Sequence, residues 1–169
     1  DTSKARKGTS YGRVLIVFKL ADPTWASERT LSGLSSGEGV LWNVRDPITQ
    51  PVKDKRSGTF TDKVTDPGIA DKRLFVQEAE FASVLRHMER PGNTLSSTLR
   101  CLWDRGDVQS LTKNSPARTT GSMVSVVGHI TVEELVKYLT RTEMANGLAN
   151  RFLFACVKRS KRLPFGGKP

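Results

Sequence analysis

Two short apolar runs constrain this chain more than any other feature. They are Leu74-Phe75-Val76 and Met123-Val124-Ser125-Val126-Val127-Gly128-His129-Ile130. Both have strand length, and the second is nearly continuous in apolar residues rather than alternating. That pattern belongs to strands buried on both faces, as in a parallel sheet covered by helices. Between and around them lie segments with helical spacing. Thr9 to Leu20 carries a wide apolar side of Val14, Leu15, Val17, Phe18 and Leu20. Ala79 to Arg90 is broken by Pro91-Gly92-Asn93, and a second helix follows from Thr94 to Trp103. Strands alternating with helices predict an α/β fold with a mostly parallel sheet, and 169 residues suit a single domain. Met123 to Ile130, the most apolar run, is expected at the centre of that sheet.

The remaining segments fill in the scheme. Arg29 to Leu34 reads as a short strand. A Gly/Ser-rich turn then leads into a short helix through Trp42 and Val44. Residues 46–72 are rich in Pro, Asp, Lys, Thr and Gly and keep no period, so a long variable surface loop is expected. Asp107 to Leu111 and Ala117 to Thr120 suggest two arms of a hairpin. Thr131 with Glu134 forms a capping box for the next helix. A short helix over Glu143 to Leu148, a strand over Arg151 to Val157 and a basic tail complete the chain.

Lys and Arg number 27 against 17 Asp and Glu, a formal net charge of +10. Such an excess favours a polyanionic partner, because clustered cations neutralise phosphates and release counterions. The excess sits at the ends: from Lys137 to Pro169 there are eight basic residues and one acid, whereas residues 46–72 balance five against five. Cys101 and Cys156 have no neighbours at metal-ligand spacing and are expected as buried, reduced thiols. No apolar run approaches the roughly 20 residues of a membrane span. The chain opens on Asp1 rather than Met, and it is expected to be a piece of a longer cytoplasmic protein.

In parallel sheets ligands gather at the carboxyl ends of the strands, which draws attention to four places: the residues around Glu38, the Glu78/Glu80 pair, Gly128-His129 and the Arg-rich end of the chain; the head of a helix is a further candidate. Lys4-Ala5-Arg6-Lys7-Gly8-Thr9-Ser10 heads a helix. It offers a Lys and two hydroxyls to a phosphate, although the usual Gly-Lys-Ser/Thr order is replaced by Lys-Gly-Thr; a basic N-terminal arm is the simpler reading. Leu74 to Glu80 is an apolar strand ending in carboxylates, the arrangement that holds the water shell of Mg²⁺, unless the acids only serve a helix N-terminus. Glu38, between Gly37 and Gly39, is a lone carboxylate on a flexible turn. His129 ends the most apolar strand, where a polar side chain can sense a phosphate or be a satisfied core histidine. Arg151 opens the last expected strand and is either an arginine finger or a surface cation.

Taken together, five strings carry a family resemblance: Ser32 to Gly39, Gln77 to Ala82, Leu111 to Ala117, Gly128 to Thr131 and Ala149 to Leu153. They resemble a bacterial and phage family described as the C-terminal domain of bifunctional primase/polymerases of mobile elements, which is similar to hexameric helicases of the RepA and DnaB kind. The resemblance implies a three-layer RecA-like P-loop ATPase core, here lacking its first strand, with ATP and Mg²⁺ as cofactors. It implies a phosphate site of Lys7, Gly8, Thr9 and Ser10, with Glu78 as the metal-holding acid and His129 as a sensor. Gly8 stands where the metal-binding hydroxyl is usual, so Thr9 would replace it as a metal ligand. Glu38 and Glu80 compete as the catalytic glutamate, and Arg151 is the candidate finger. Lys113 and Arg118 would line a DNA channel, and Lys158, Arg159, Lys161 and Arg162 form a second basic patch. The function implied is an ATP-driven translocase or helicase on single-stranded DNA, assembled as a hexameric ring in a bacterial or phage-encoded parent. The alternative is a nucleic-acid-binding or assembly module that keeps the fold without the chemistry.

Overall fold

The computed structural model describes residues 7–53, 58–111 and 116–157. In chain order, α1 (Lys7–Ala21) and α2 (Pro23–Glu28) precede the two-residue strand β1 (Thr30–Leu31). Next come α3 (Gly37–Trp42), the strands β2 (Ile48–Lys53) and β3 (Phe60–Asp66), then β4 (Arg73–Glu78). α4 (Phe81–Met88), α5 (Leu95–Arg105), β5 (Val108–Gln109), β6 (Arg118–Thr119) and β7 (Met123–Gly128) follow. α6 (Val132–Tyr138), α7 (Arg141–Ala145) and a 3₁₀ turn at Ala149–Arg151 close the series.

β1, β4 and β7 form one parallel sheet in the order β1-β4-β7. The register runs from Arg73↔Met123 to Glu78↔Gly128 on one side of β4, with Thr30↔Phe75 on the other. β4 is the middle strand, and its alternating side chains separate two helical layers. Leu74 and Val76 belong to the main core with Val40, Val44, Val84, Leu85, Leu95 and Leu99. Phe75 points the other way, where Tyr11, Phe18 and Trp25 of α1 and α2 bring their rings to 6.5, 5.4 and 6.3 Å. Helices therefore cover both faces of this α/β sheet. Asp22 begins α2 by accepting the N–H of Trp25 at 3.0 Å, and Pro23 fits the first helical position. The same Asp22 reaches Arg73 at the start of β4, at 3.1 Å. The end of α1 thus lies at the start of β4, while Tyr11 near its beginning lies against Phe75. α1 therefore runs antiparallel to β4, and its described beginning lies toward the strands' carboxyl ends.

Four expectations change. The run Met123 to Ile130 is expected to be central, but β7 is an edge strand among the described residues, with Met123 67% and Val127 41% exposed. Apolar content reports a demand for burial on both faces; it does not report the order of strands. The expected strand over Arg151 to Val157 is a 3₁₀ turn followed by chain with no regular structure, and Leu153 is almost wholly exposed. No strand among the described residues pairs with it. The expected loop over 46–72 contains the antiparallel pair β2–β3. Its polar residues on both faces hide the period-two signal. Cys101 and Cys156 are exposed rather than buried.

Other features follow the sequence closely. Thr131 and Glu134 close the capping box at the head of α6, which is worth about 1 kcal/mol. β5 and β6 pair antiparallel as the expected hairpin. Among the described residues no helix is long and apolar enough to cross a membrane.

Candidate functional site

The carboxyl edge of the sheet is built around the tip of β4. Glu78 is buried there, and its Oε1 accepts the backbone N–H groups of Gly33 at 2.6 Å and Leu34 at 2.7 Å. This explains why β1 is so short: its continuation turns toward a carboxylate instead of a strand neighbour. Charged acceptors make the stronger class of hydrogen bond, so the loop after β1 is held firmly to the β4 tip. Both bonds fall on one oxygen of Glu78.

Next to Glu78, the pairing of β4 and β7 runs on into His129. Its N–H donates to the Glu78 carbonyl at 2.8 Å, and its own carbonyl accepts the N–H of Phe81, the first residue of α4, at 2.9 Å. Gly128 is required by this packing, since a Cβ there would meet the Phe81 ring at 2.6 Å. His129 is half-buried at this crossing of strand and helix.

Ser10, Gly128, His129 and Arg151 line one open, mainly apolar cavity of about 850 Å³ along β7, together with Trp103 and the segment from Phe152 to Val157. Through Ser10, the described beginning of α1 reaches the same cavity. The side chains of Lys7 and Thr9 lie outside the described residues. The Lys-Gly-Thr-Ser run does not form a loop ahead of a helix; from Lys7 onward it is the helix.

Glu38, Glu80 and Arg118 stand apart from that cavity. Glu38 is in the first turn of α3, exposed, and its Oε1 accepts the hydroxyl of Thr94 at 2.9 Å. The turn is capped by Ser36, which accepts the Gly39 N–H at 3.1 Å. Glu80 precedes α4 and is exposed, and its side chain does not cap the helix. Arg151 reaches into the cavity but is paired with Asp104 through Nη2 at 2.7 Å, while its Nη1 donates to the Gly147 carbonyl at 2.8 Å. Arg118 is exposed on β6. Lys113, Lys158, Arg159, Lys161 and Arg162 lie outside the described residues. Among the described residues no group of three or more His, Cys, Asp and Glu side chains is gathered as a metal cage.

Sequence reasoning misses the role of Glu78 as a clamp on the β1 loop. It also misses a group of ion pairs near the base of β2–β3. There Arg45 forks onto Asp66 at 2.9 and 3.0 Å and stacks over Trp42 at 3.7 Å. Asp46 accepts from Lys72 and from the N–H and hydroxyl of Thr120, at 3.1 Å each for the latter two. Asp71 is held down to about 2, chiefly by its hydrogen bond from Arg73. No local signal marks these pairs, because each partner is distant in sequence or one of many charges. No protein-family model matches the chain, and a search of curated proteins found no match.

Proposed function

We propose that this chain is the RecA-like core of an ATP-driven translocase or helicase acting on single-stranded DNA, working as a ring in a longer parent protein. The observation that carries the reading is convergence at one sheet edge. The described beginning of α1 at Ser10, the clamped tips of β1 and β4, and Gly128-His129 all lie toward the carboxyl end of a parallel sheet. Ligands of open α/β sheets bind there. Lys7 would add the point charge, and Thr9 or Ser10 a hydroxyl. Only one oxygen of Glu78 is used by the β1 loop, so the second remains for the water shell of Mg²⁺. That fits a metal which keeps most of its waters and takes one or two carboxylates plus the nucleotide's phosphates. Among the described residues β7 pairs on one side only, which leaves room for a further strand, because a parallel sheet is normally covered and paired on both sides.

The test is ATP hydrolysis by the full-length parent, with and without single-stranded DNA. DNA-stimulated turnover should fall by about a hundredfold or more in Lys7→Ala and in Glu38→Gln. Wild-type turnover in both variants overturns the assignment.

A second reading has its own observation. Glu38, Glu78 and Arg151 are all engaged within the chain, with Thr94, with Gly33 and Leu34, and with Asp104. A module that kept the fold and lost the chemistry would use them this way. It would bind DNA with strong salt dependence and no response to nucleotide. A nucleotide-dependent change in DNA affinity counts against it.

A further inference from the structure

We infer that the β2–β3 pair is a fixed arm that binds single-stranded nucleic acid, with Phe60 as a stacking surface and Lys53 and Lys63 as phosphate contacts. The inference rests on the reading that the chain binds DNA, and adds an element to which that reading assigns no role.

The first observation is exposure. Residues 49–53 and 58–65 are exposed throughout, on both faces of the pair. A two-stranded hairpin with no covered face is at best marginally stable by itself. This one is ordered from its base. Arg45 forks onto Asp66, and Asp66 also accepts the Gly68 N–H at 2.7 Å. Gly68 has φ +68°, and a Cβ there would lie 2.6 Å from the backbone of Asp46 and Pro47, so the return of the chain requires glycine. Asp46 is tied in turn to Lys72 and Thr120.

The second observation is how the fold sorts charge. Residues 46–72 are balanced in sequence, five basic against five acidic. Three of those acids, Asp46, Asp66 and Asp71, are taken by Lys72, Arg45 and Arg73 at or near the base. Away from the base, the described strands keep Lys53 and Lys63 against Asp62 alone. The described arm is therefore left with a surplus of positive charge, complementary to a phosphate chain.

The third observation is register. Lys53 pairs directly with Phe60, which puts a cation beside an aromatic ring on one face of the ribbon. Phe60 is 69% exposed. An exposed ring next to a lysine fits a base and its neighbouring phosphate, the combination used by sequence-tolerant single-strand binders. Lys63, opposite Gln50, extends the charge to the other face.

The experiment measures affinity of the full-length protein for a labelled oligothymidylate over a range of salt. It compares wild type with Phe60→Ala and with the pair Lys53→Glu, Lys63→Glu. The altered side chains are exposed, so thermal melting serves as the check that each variant is folded. Phe60→Ala should weaken binding by roughly tenfold. The double lysine variant should weaken it further and lower the salt slope by about 0.7 for each phosphate that is no longer neutralised. Wild-type affinity and slope in folded variants overturn the arm while leaving DNA binding elsewhere on the chain intact. Absence of binding by the wild type removes the underlying reading, and the arm with it. Unchanged DNA affinity with altered oligomeric state in the variants makes the arm a contact between copies, and also overturns the inference.

Discussion

The β4 strand and the β2–β3 arm are ordered by opposite means. β4 is held by what covers it: apolar side chains on one face, aromatic rings on the other, and a strand on each edge. The arm is held by what grips its base, a set of ion pairs and one tight glycine, while its length stands in water. Burial is non-directional and leaves clear marks in sequence. A charged anchor is specific in geometry and leaves almost none. The difference teaches that an exposed, polar, aperiodic segment can still be a defined structural element if its ends are fixed.

The largest expected effect separates the two regions directly. Leu74→Ala on β4 removes a side chain only 3% exposed and should cost about 2–5 kcal/mol in chemical denaturation. A smaller cost, equal to that of a substitution on the arm, would break the distinction. Next comes the clamp. Glu78→Ala leaves the N–H groups of Gly33 and Leu34 without their acceptor and should cost about 1–3 kcal/mol. Amide exchange should quicken at Leu34 first, and Glu78→Gln, which keeps an oxygen acceptor, should recover part of the loss.

Acid should loosen the arm before the sheet. Asp66 lies below its ordinary value, chiefly through the Gly68 N–H and then Arg45. For Asp46 burial acts to raise the value, but the bonds from Lys72 and Thr120 outweigh it and the net direction is down. Both values are depressed in the fold, so the stabilisation is complete above the ordinary aspartate value of about 3.9 and is lost as pH falls through the lowered native values. Amide protection across β2–β3 should therefore fall in that acid range while β4 stays protected. Simultaneous loss in both would mean that they unfold as one unit. The smallest effect is Phe60→Ala, expected to change stability by no more than about 0.5 kcal/mol because the ring is exposed. A large loss would show that the ring packs on something.

Much of the sheet is legible in sequence. Leu74 to Val76 and Met123 to Gly128 announce strands, and Thr131 with Glu134 announces a helix start, because each signal is local. The alternation of strands and helices is enough for an α/β reading. The site is legible only as a set of separate residues. His129 and Ser10 share a cavity with Arg151, whereas Glu38 and Glu80 stand outside it. Spacing along the chain cannot sort them, since it says nothing about which helix lies beside which strand tip.

The sequence by itself determined the classes of element, the demand of two strands for cover on both faces, and the surplus of positive charge. These follow from side-chain chemistry and from periods of a few residues. Only the tertiary structure decided that, among the described residues, β4 is the central strand and β7 an edge, that Glu78 clamps the loop after β1, and that the acids at the base of β2–β3 are taken up by ion pairs while Lys53 and Lys63 stand exposed. Each of those depends on contacts between residues tens of positions apart, such as Glu78 with Gly33 and Arg45 with Asp66. Chain closure brings such partners together, and no local pattern records them.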